Sequence, residues 1–590
     1  MRLVLPRRLL VVAAFLVALA VPGLGRAADL GPNVVVFDPS MAQSAVQAKL
    51  DAIAAEQIPN EFGTQRYAVF FEPGTYGSAA RPLNFRVGYY EQVAGLGASP
   101  NDVQIIGTAN VNNNSHGLAL TNFWRSLSNL TINPVGGPSC LDSNELWAVS
   151  QASPMRRVRV NGLLFLFDYC SGPGYASGGF IADSSTGFVI NAPQQQWFTR
   201  NSNVDGWSNS VWNQVFAGVN GAPPTAFVGN GLNYTTLPTN PAEREAPFVY
   251  DTGNRLAVYV PSAQHDISGP TWLAGQTPGR SLPLSSFDVV RPGDSVQSIN
   301  NALSRGQNLL FTPGVYDIAQ TIRVKRTDTI VLGLGLATLT AQGGSTPLAI
   351  DDVPGVVVSG LIFDAGATNS PVLLQVGSVN EHGRGHGGFS DASDPTLLAD
   401  VFFRIGGPHV GKATTALEVN SSDSILDDVW AWRADHGSGV GWTVNTSDHG
   451  LVVNGDRVVA TGLFVEHFQK DEVVWNGEGG QTVFFQNEMP YDPPTQAAWQ
   501  HDGLLGYAAF KVANDVTTFS GYGFGSYCFF NVNPSIHASH AYEVPTTPGV
   551  QLHDVLDLTI SGTGTIDHIV NDTGPPTTVP NSPNDLVTYP

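Results

Sequence analysis

Short apolar runs, each introduced by a polar residue or a glycine, recur along most of the chain. Clear examples are SNLTI (128–132), NGLLF (161–165), SGLIF (359–363), ADVFF (399–403), DDVWAW (427–432), TGLFV (461–465) and QTVFF (481–485). Runs of this length that are rich in β-branched and aromatic residues are typical of β-strands. Because they follow one another at irregular intervals, they indicate a solenoid whose rungs keep one strand and vary in their loops.

A longer pattern indicates that the chain is duplicated. AVFFEPGTY (68–76) is echoed by NLLFTPGVY (308–316), and QVAGLG (92–97) is echoed by IVLGLG (330–335). A stretch typical of an amphipathic helix precedes each copy. A β-sandwich is the alternative, but it would show stricter alternation and tighter hairpins. We therefore expect an all-β protein of two tandem parallel β-helices.

The duplication also suggests the domain boundaries. We expect a first β-helix domain at 28–255, a Pro/Gly/Ser-rich linker at 256–290 and a second β-helix domain at 291–590. Residues 1–27 combine a basic start, a short apolar core and small residues at the end, which is typical of a signal peptide and not of a membrane span. We expect a secreted, extracellular protein that has no membrane association after cleavage.

Composition narrows the choice of partner. The formal net charge is −21, and charged residues make up 13% of the chain. Binding to nucleic acid or to an anionic membrane draws on clustered Lys and Arg, so neither partner is expected. A polyanionic substrate such as pectin is disfavoured unless a local basic or calcium site intervenes. A neutral substrate fits best.

Three cysteines are present. Cys140 and Cys170 could pair in an oxidising compartment, which would leave Cys528 over. The three thiols form no zinc motif, and the chain has no HExxH sequence. We expect neither a metal nor a cofactor.

Two glutamates stand at the ends of neighbouring predicted strands. Glu488 comes 22 residues after Glu466, which is about one rung. Equivalent residues of adjacent rungs lie about 4.8 Å apart, so the two carboxyls should be neighbours. Close carboxylates raise the pKa of at least one of them, as a general acid near neutral pH requires. Glu488 is the candidate proton donor and Glu466 the charged or proton-relaying partner; a polar ladder or a salt bridge is the alternative.

Four other acids nearby have plainer interpretations. Asp471 and Glu472 lie in a Lys-Asp-Glu run that is typical of a solvated loop. Glu478 lies in a glycine-rich turn, and Asp492, which precedes two prolines, is expected to cap a turn. A structural role is the favoured interpretation for all four, and a chemical role is the alternative.

An aromatic cluster precedes the two glutamates. Trp430, Trp432 and Trp442 surround Asp435 and His436 in the sequence. Alternation along a strand places Trp430 and Trp432 on one face. We interpret them as a wall for sugar stacking, with core packing as the alternative.

The first half contributes amides and hydroxyls beside aromatic residues. They occur in WAVSQASPMRR (147–157), GYASGGFIAD (174–183) and APQQQWFTRNS (192–202). Such groups suit a neutral, hydroxyl-rich ligand or a bound water. The glutamine run that contains Gln196 is equally typical of an amide ladder inside a solenoid.

Both halves contain long, specific motifs, which include WAVSQASPMRR, QQQWFTRNS, LFTPGVY, KATTALEVNSSDSILDDVWAWRADHG and VEHFQKDEVVWNGEGGQTVFFQNEMPYDPP. These motifs resemble glycoside hydrolase family 55, the exo-acting β-1,3-glucanases of bacteria and fungi. The resemblance covers essentially the whole chain after the signal peptide and is strongest to the bacterial, actinomycete-like branch. It implies two right-handed parallel β-helices of the pectin-lyase-like type, side by side in a rib-cage arrangement, with the active site in the cleft between them.

The resemblance also implies an activity and its catalytic residues. We expect inverting hydrolysis of laminarin-type β-1,3-glucan from the non-reducing end, with release of glucose, by a monomer. Glu488 is then the general acid, Glu466 belongs to the proton relay around the attacking water, and Gln151 and Ser177 position that water. Inverting enzymes keep their two carboxyls about 6.5–9.5 Å apart. A stacked Glu466 would therefore take the proton through a relay.

The substrate-binding residues implied by the resemblance lie beside these groups. Asp435 is expected to line the pocket, and Trp432 and Tyr491 to bind the glucosyl unit. His436 and Gln196 complete the candidates for substrate binding.

Two other functions are compatible with a parallel β-helix. One is a pectinase, but polygalacturonases order their motifs as NTD, DD, GHG and RIK. Here Asp427-Asp428 precedes Asp435-His436-Gly437, and NTSD (445–448) comes last. The other is a polysaccharide-binding solenoid without catalysis, which fold alone does not exclude.

Overall fold

The structure is a computed structural model that describes residues 30–137, 140–192, 194–208, 211–227, 233–253, 255–379 and 390–590. The expected signal peptide at 1–27 lies outside the described residues. Among the residues described, no helix combines the length and the apolar character that crossing a membrane would require.

A helix precedes each copy of the repeated motif, as the sequence predicts. The helices are Gln43–Gln57 and Val296–Ser304. The first buries an apolar face in the core of the first β-helix. The second is capped by Ser295, whose hydroxyl accepts a hydrogen bond from the backbone N–H of Ser298.

The first half is a parallel β-helix built on one long sheet, called here the first long sheet. In spatial order its strands are Val34–Phe37, Tyr67–Phe71, Glu91–Gly95, Arg125–Asn133, Met155–Val160, Phe180–Ala182, Gln194–Arg200, Val211–Ala217 and Tyr234–Leu237. Val69 pairs with Val93, Val93 with Leu127 and Leu127 with Met155. All four side chains are buried in one apolar core. Each rung therefore adds one layer to the column.

The second half repeats this plan with two sheets. The second long sheet runs Phe287–Val290, Asn308–Phe311, Ile330–Ala341, Val357–Asp364, Thr396–Ile405, Ser424–Arg433, Val459–Glu466, Gly480–Glu488, Phe519–Cys528, Val550–Thr559 and Asn584–Tyr589. Its pairs are parallel except the last. The opposite sheet runs Ile322–Val324, Leu348–Ile350, Ser370–Val376, Ala413–Val419, His449–Val453, Val473–Trp475, Phe510–Val512 and Tyr542–Glu543. The predicted parallel β-helix fold is confirmed.

Shorter strands complete the rungs and the loops. They are Gly74–Tyr76, Leu83–Arg86, Val103–Asn110, Glu145–Leu146, Leu164–Phe165, Ser185–Thr186, Val189–Ile190, Asn203–Val204, Asn240–Glu243, Phe248–Asp251, Leu256–Pro261, Gln264–Ile267, Gly279–Pro283, Val315–Ile318, Gln500–His501, Leu504–Leu505, His537–Ala538 and Thr565–Ile566.

The segment 256–290, expected to be a linker, contains regular structure. Phe248–Asp251, Leu256–Pro261 and Gly279–Pro283 form an antiparallel sheet. Phe287–Val290 already belongs to the second long sheet. The division at 255 and 291 stays a prediction.

Alternation along the second long sheet explains how the two halves meet. Val429 and Ala431 point into the core of the second β-helix. Trp430 and Trp432, which alternate with them, point outward into an apolar cluster shared with the first half. In that cluster Phe198 of the first half stacks on Phe484 of the second, with ring centroids 5.4 Å apart. The outer faces of the two long sheets therefore pack against each other.

A buried ionic network accompanies this apolar contact. Asp427 Oδ2 lies 2.7 Å from Arg156 Nη1 and 2.7 Å from Arg200 Nη2. Arg156 also pairs with Asp400, and Arg200 with Glu245. Asp427 and Asp400 belong to the second half and the other three to the first. The network therefore fixes the relative position of the two β-helices, because a buried charge that loses its partner is strongly destabilising.

Cys140 and Cys170 form a disulfide, with Cα atoms 5.8 Å apart. Cys528 is a buried free thiol. The sequence left this pairing open, and the structure shows it.

Candidate active site

A cavity of about 730 Å³ lies where the two halves meet. It is lined by Leu120, Thr121, Phe123, Gln151, Tyr175, Ala176, Ser177, Gln195 and Trp212 of the first half and by Trp432, Asp435, His436, Glu466, His467, Glu488, Tyr491, Phe529, Ile560, Ser561 and Asn581 of the second. Aromatic surface beside a few carboxylates and amides is typical of a binding site for a polar ligand.

Strand register brings the two glutamates together. Val459–Glu466 and Gly480–Glu488 are parallel neighbours, and Glu466 pairs directly with Glu488. Both strands end at these residues, which leaves the carboxyls at the cavity. The predicted stacking of the two glutamates is confirmed.

Glu466 is a buried carboxylate that accepts three hydrogen bonds. Its Oε1 accepts from Gln151 Nε2 at 2.6 Å and from Gln486 Nε2 at 2.7 Å, and its Oε2 accepts from Trp430 Nε1 at 2.8 Å. Burial raises the pKa of Glu466 to about 7, against the opposing effect of the hydrogen bonds. The group therefore changes its charge near neutral pH.

Glu488 has the environment of a protonated carboxyl. It is 5% exposed, and burial, followed by the charge of Glu466, raises its pKa well above the usual range. Gln195 Nε2 donates to Oε1 at 2.7 Å, and the hydroxyl of Tyr491 hydrogen-bonds to Oε2. Glu488 thus holds a proton under conditions in which an ordinary glutamate is ionised.

Gln151 and Ser177 reach the cavity from the first half. Gln151 crosses to Glu466 through its amide nitrogen and precedes Ala152, which has φ +56°. Ser177 donates its backbone N–H to the hydroxyl of Ser150 at 3.0 Å. Both candidates line the cavity with Glu466 and Glu488.

Asp435, His436 and Trp432 also line the cavity. Burial raises the pKa of Asp435, but the hydrogen bond from His436 and the electrostatic interactions with His467 and His436 outweigh burial and lower this pKa to about 2. The ring of Trp432 lies 5.1 Å from that of His436. An anion and an aromatic face thus stand side by side.

Gln196 does not lie where the sequence analysis expects it. Its amide nitrogen donates to the backbone carbonyl of Ser177, and it is fully buried outside the cavity lining. The neighbouring Gln195 contacts Glu488 instead. The repeated glutamines give no signal that distinguishes the cavity-facing residue, so sequence reasoning missed Gln195.

The proposed aromatic wall is wrong for one of its two tryptophans, Trp430, which does not line the described cavity. Trp430 and Trp432 are both 1% exposed, but Trp430 donates a hydrogen bond to Glu466. Trp442 packs against the core of the second β-helix, with Arg433 over its ring. Trp432 alone of the three lines the described cavity.

The surrounding acids also differ from expectation. Asp471 and Glu472 are buried and not solvated. The Asp492 carboxylate, expected to cap a turn, forms a bidentate ion pair with Arg433, at 2.9 Å for each oxygen. Glu478 does stabilise a turn, because its carboxylate accepts hydrogen bonds from the backbone of 517–518.

Among the described residues, two groups each bring three possible metal ligands together. In Cys140, Asp168 and Cys170 the thiols are already joined as a disulfide. In Asp471, His501 and Glu543 the ammonium group of Lys511 lies 2.9 Å from Glu543 and 3.8 Å from Asp471. A lysine thus supplies the positive charge between these carboxylates.

Comparison with known proteins places the chain in a family. The family model of the LAM55 pectate lyase-like domain matches residues 287–488. An exo-β-1,3-glucanase of Streptomyces sp. (strain SirexAA-E / ActE) is 49% identical over 565 residues, which are 95% of this chain and 90% of that protein.

Solved structures agree with this assignment. The structure of sacteLam55A from Streptomyces sp. SirexAA-E superposes with a TM-score of 0.89 at 48% identity, covering 95% of this chain and 99% of that one. A single-residue variant of sacteLam55A in complex with glucose gives a TM-score of 0.88 at 48% identity, covering 95% and 98%. The chain therefore belongs to glycoside hydrolase family 55, the family of the Streptomyces exo-β-1,3-glucanase.

Proposed function

We propose that this protein is an exo-β-1,3-glucanase that hydrolyses laminarin-type glucan from the non-reducing end, releases glucose and inverts the anomeric configuration. The observation that carries the proposal is the stacked pair of Glu466 and Glu488 in a cavity walled by both β-helices. Membership of the family and the kinship with the Streptomyces enzyme support it.

Glu488 is the general acid in this proposal. Glycosidic bond cleavage needs a proton on the departing oxygen, and a carboxyl whose pKa is raised by burial still carries one near neutral pH. Gln195 and Tyr491 hold its two oxygens, so the acid has a fixed orientation. As the bond from the anomeric carbon to this oxygen breaks, Glu488 gives up its proton.

Gln151, Ser177 and Glu466 handle the water. The attacking water needs an oriented oxygen and a route for its surplus proton. Gln151 donates its amide to Glu466, and Ser177 lines the same cavity and offers a hydroxyl. Because the pKa of Glu466 is about 7, its carboxylate accepts the proton near neutrality. A relay suits inversion, because two carboxyls on adjacent strands are closer than the about 6.5–9.5 Å usual for a direct acid and base pair.

Trp432, Tyr491, Asp435 and His436 bind the terminal glucosyl unit. An aromatic face packs against the apolar face of a sugar, while an anion accepts from its hydroxyls. Gln196 supports Ser177 from behind and has no direct contact with substrate in this proposal.

Export and assembly belong to the same proposal. The basic and apolar start of the chain directs the enzyme out of the cell, where laminarin-type polysaccharide is accessible. It acts there as a monomer, since one chain contributes both walls of the cavity.

One experiment tests activity, mode and stereochemistry together. The purified protein is incubated with laminarin, and the products are followed by anomer-resolved proton NMR from the first minutes. We expect α-glucose to appear before mutarotation, with no early build-up of longer oligosaccharides. Binding of laminarin without release of sugar would favour the non-catalytic solenoid, and release of uronic acids from pectin but no glucose from laminarin would favour the pectinase.

A further inference from the structure

The imidazole of His436 lies between two carboxylates that come from different β-helices. Its Nδ1 is 2.8 Å from Asp435 Oδ1, and its Nε2 is 2.9 Å from Glu61 Oε1. Asp435 and His436 line the cavity of the active site, and Glu61 holds the other side of the ring. We propose that Glu61 is a positioning residue, which fixes His436 and through it the Asp435 carboxylate that receives the glucosyl unit. This inference rests on the proposed function and extends it to a residue of the first half.

The segment that carries Glu61 is held by the second β-helix. The hydroxyl of Tyr90 donates to the backbone carbonyl of Glu61 at 2.5 Å. Arg404 donates to the same hydroxyl and forms a two-point ion pair with Asp364, at 2.7 Å for each contact. Arg66 donates to Thr338 at 3.0 Å. These contacts fix the position of the Glu61 backbone relative to the cavity.

Phe62, the next residue, is wedged into the second half. Its ring is parallel to that of Trp432, with centroids 6.4 Å apart and planes 4° apart. Gly407 has φ +96° and Gly437 has φ +94°, and a Cβ on either would lie 2.8 Å from the Phe62 ring. Only glycine leaves room for this wedge. Packing of Phe62 therefore fixes the position of the backbone of residues 61–62 beside the Asp435–His436 turn.

The charges around His436 favour the imidazolium. Burial lowers its pKa, but the hydrogen bonds to Asp435 and Glu61 and their negative charges outweigh burial and raise the pKa to about 10. Glu466 and His467 also face this turn, Glu466 through its interaction with both Asp435 and His436 and His467 through its interaction with Asp435. The arrangement is thus anion, cation, anion across the domain contact.

This arrangement explains why a second carboxylate is needed. An aspartate with one oxygen held by an imidazolium has a fixed plane, and a fixed plane is what oriented hydrogen bonds to sugar hydroxyls require. The His436 ring has two N–H groups, one bonded to Asp435 and the other to Glu61. The second bond prevents rotation of the ring. Without Glu61, the imidazole can turn, and the Asp435 carboxylate turns with it.

Kinetics at pH 6 test the positioning role. Asp435 contacts the sugar in both ground and transition states, so its disorder weakens binding uniformly. We expect Glu61→Ala to raise KM for laminaritriose about tenfold, which corresponds to about 1.4 kcal/mol, while kcat changes less than about twofold. Glu61→Gln keeps an oxygen that accepts from Nε2 and should restore KM to within about threefold of the wild type.

A spectroscopic titration tests the same contact without catalysis. Histidine labelled with 15N reports the protonation of both ring nitrogens, and His436→Asn assigns the signal. We expect His436 to stay doubly protonated up to pH 9 in the wild type and to lose its proton at lower pH in Glu61→Gln. Glu56→Gln is the matched control, because Glu56 is an exposed carboxylate that bonds Tyr67 and should leave both measurements unchanged.

The outcomes separate this inference from the proposed function. A wild-type protein that releases no glucose from laminarin contradicts the proposed function. A wild type that does release it, with KM unchanged in Glu61→Ala or with identical titration of His436 in Glu61→Gln, overturns the positioning role alone. A loss of kcat as large as the loss of kcat/KM also overturns it, because the effect would then lie in the transition state only.

Discussion

Glu466 and Glu488 are register partners on neighbouring strands of the second β-helix, and each accepts a hydrogen bond from a glutamine of the first. Gln151 reaches Glu466, and Gln195 reaches Glu488. The second β-helix thus supplies the carboxyls, and the first adds one hydrogen bond to each of them. Neither half contains a complete site.

Replacing the acid tests the central assignment. Glu488→Gln keeps the shape and removes the proton, so we expect kcat on laminarin to fall by about 10²–10⁴. An aryl β-glucoside with a good leaving group needs little protonation and should lose far less. Glu478→Gln, which changes a turn away from the cavity, is the matched control. Equal losses on the two substrates would contradict the assignment.

The contact of Gln195 with Glu488 should be visible in the pH profile. Donation from Gln195 stabilises the ionised carboxylate and so lowers the pKa of Glu488. Gln195→Ala removes this effect, the pKa rises, and the alkaline limb of kcat/KM moves to higher pH. Gln196→Ala is the comparison, because its amide bonds Ser177 and not Glu488. A shift in Gln196→Ala but not in Gln195→Ala would reverse our assignment.

The acid limb should respond to Trp430. The Trp430 N–H stabilises ionised Glu466 and lowers its pKa. In Trp430→Phe the pKa of Glu466 should rise above its present value of about 7, and the acid limb of kcat/KM should move to higher pH. The alkaline limb, which reports Glu488, is the internal control. An acid limb that does not move would separate Glu466 from the proton relay.

The sequence could predict the stacking of Glu466 on Glu488 because both follow strands of one solenoid, and the spacing of adjacent rungs is a local property. It could not predict the crossing of Gln151 or Gln195, since the register of one β-helix against the other depends on side-chain packing and not on a period. Family resemblance supplied Gln151, whereas Gln195 came only from the structure.

Trp430 shows that prediction from the sequence is also limited within a single strand. Alternation correctly places Trp430 and Trp432 on one face. The sequence alone does not reveal whether that face of the strand contacts solvent, a ligand or a second domain. Here the face packs against the first β-helix, and Trp432 alone of the pair lines the described cavity.

The buried ionic network should dominate the stability of the domain contact. Asp427→Ala leaves Arg156 and Arg200 without their shared carboxylate, and breaking such a buried pair costs about 3–5 kcal/mol. We expect a clear fall in the urea midpoint of unfolding. Asp448→Ala removes the partner of the exposed Lys470 and should cost at most about 1 kcal/mol. Similar midpoints for the two variants would show that the network contributes little.

Gly462 tests how closely the two β-helices must approach. It has φ +73°, and a Cβ there would lie 2.8 Å from the ring of Phe180 on the first half. Gly343 has a similar φ of +64° but nothing within 4 Å of its Cβ position. Gly343→Ala should therefore cost only the left-handed backbone strain, about 1–2 kcal/mol. Gly462→Ala should add about 1–3 kcal/mol for overpacking and lower kcat/KM on laminarin, because separating the sheets pulls Gln151 from Glu466. If both variants unfold at the same urea concentration, the contact at Phe180 yields freely and the domain interface is looser than the structure indicates.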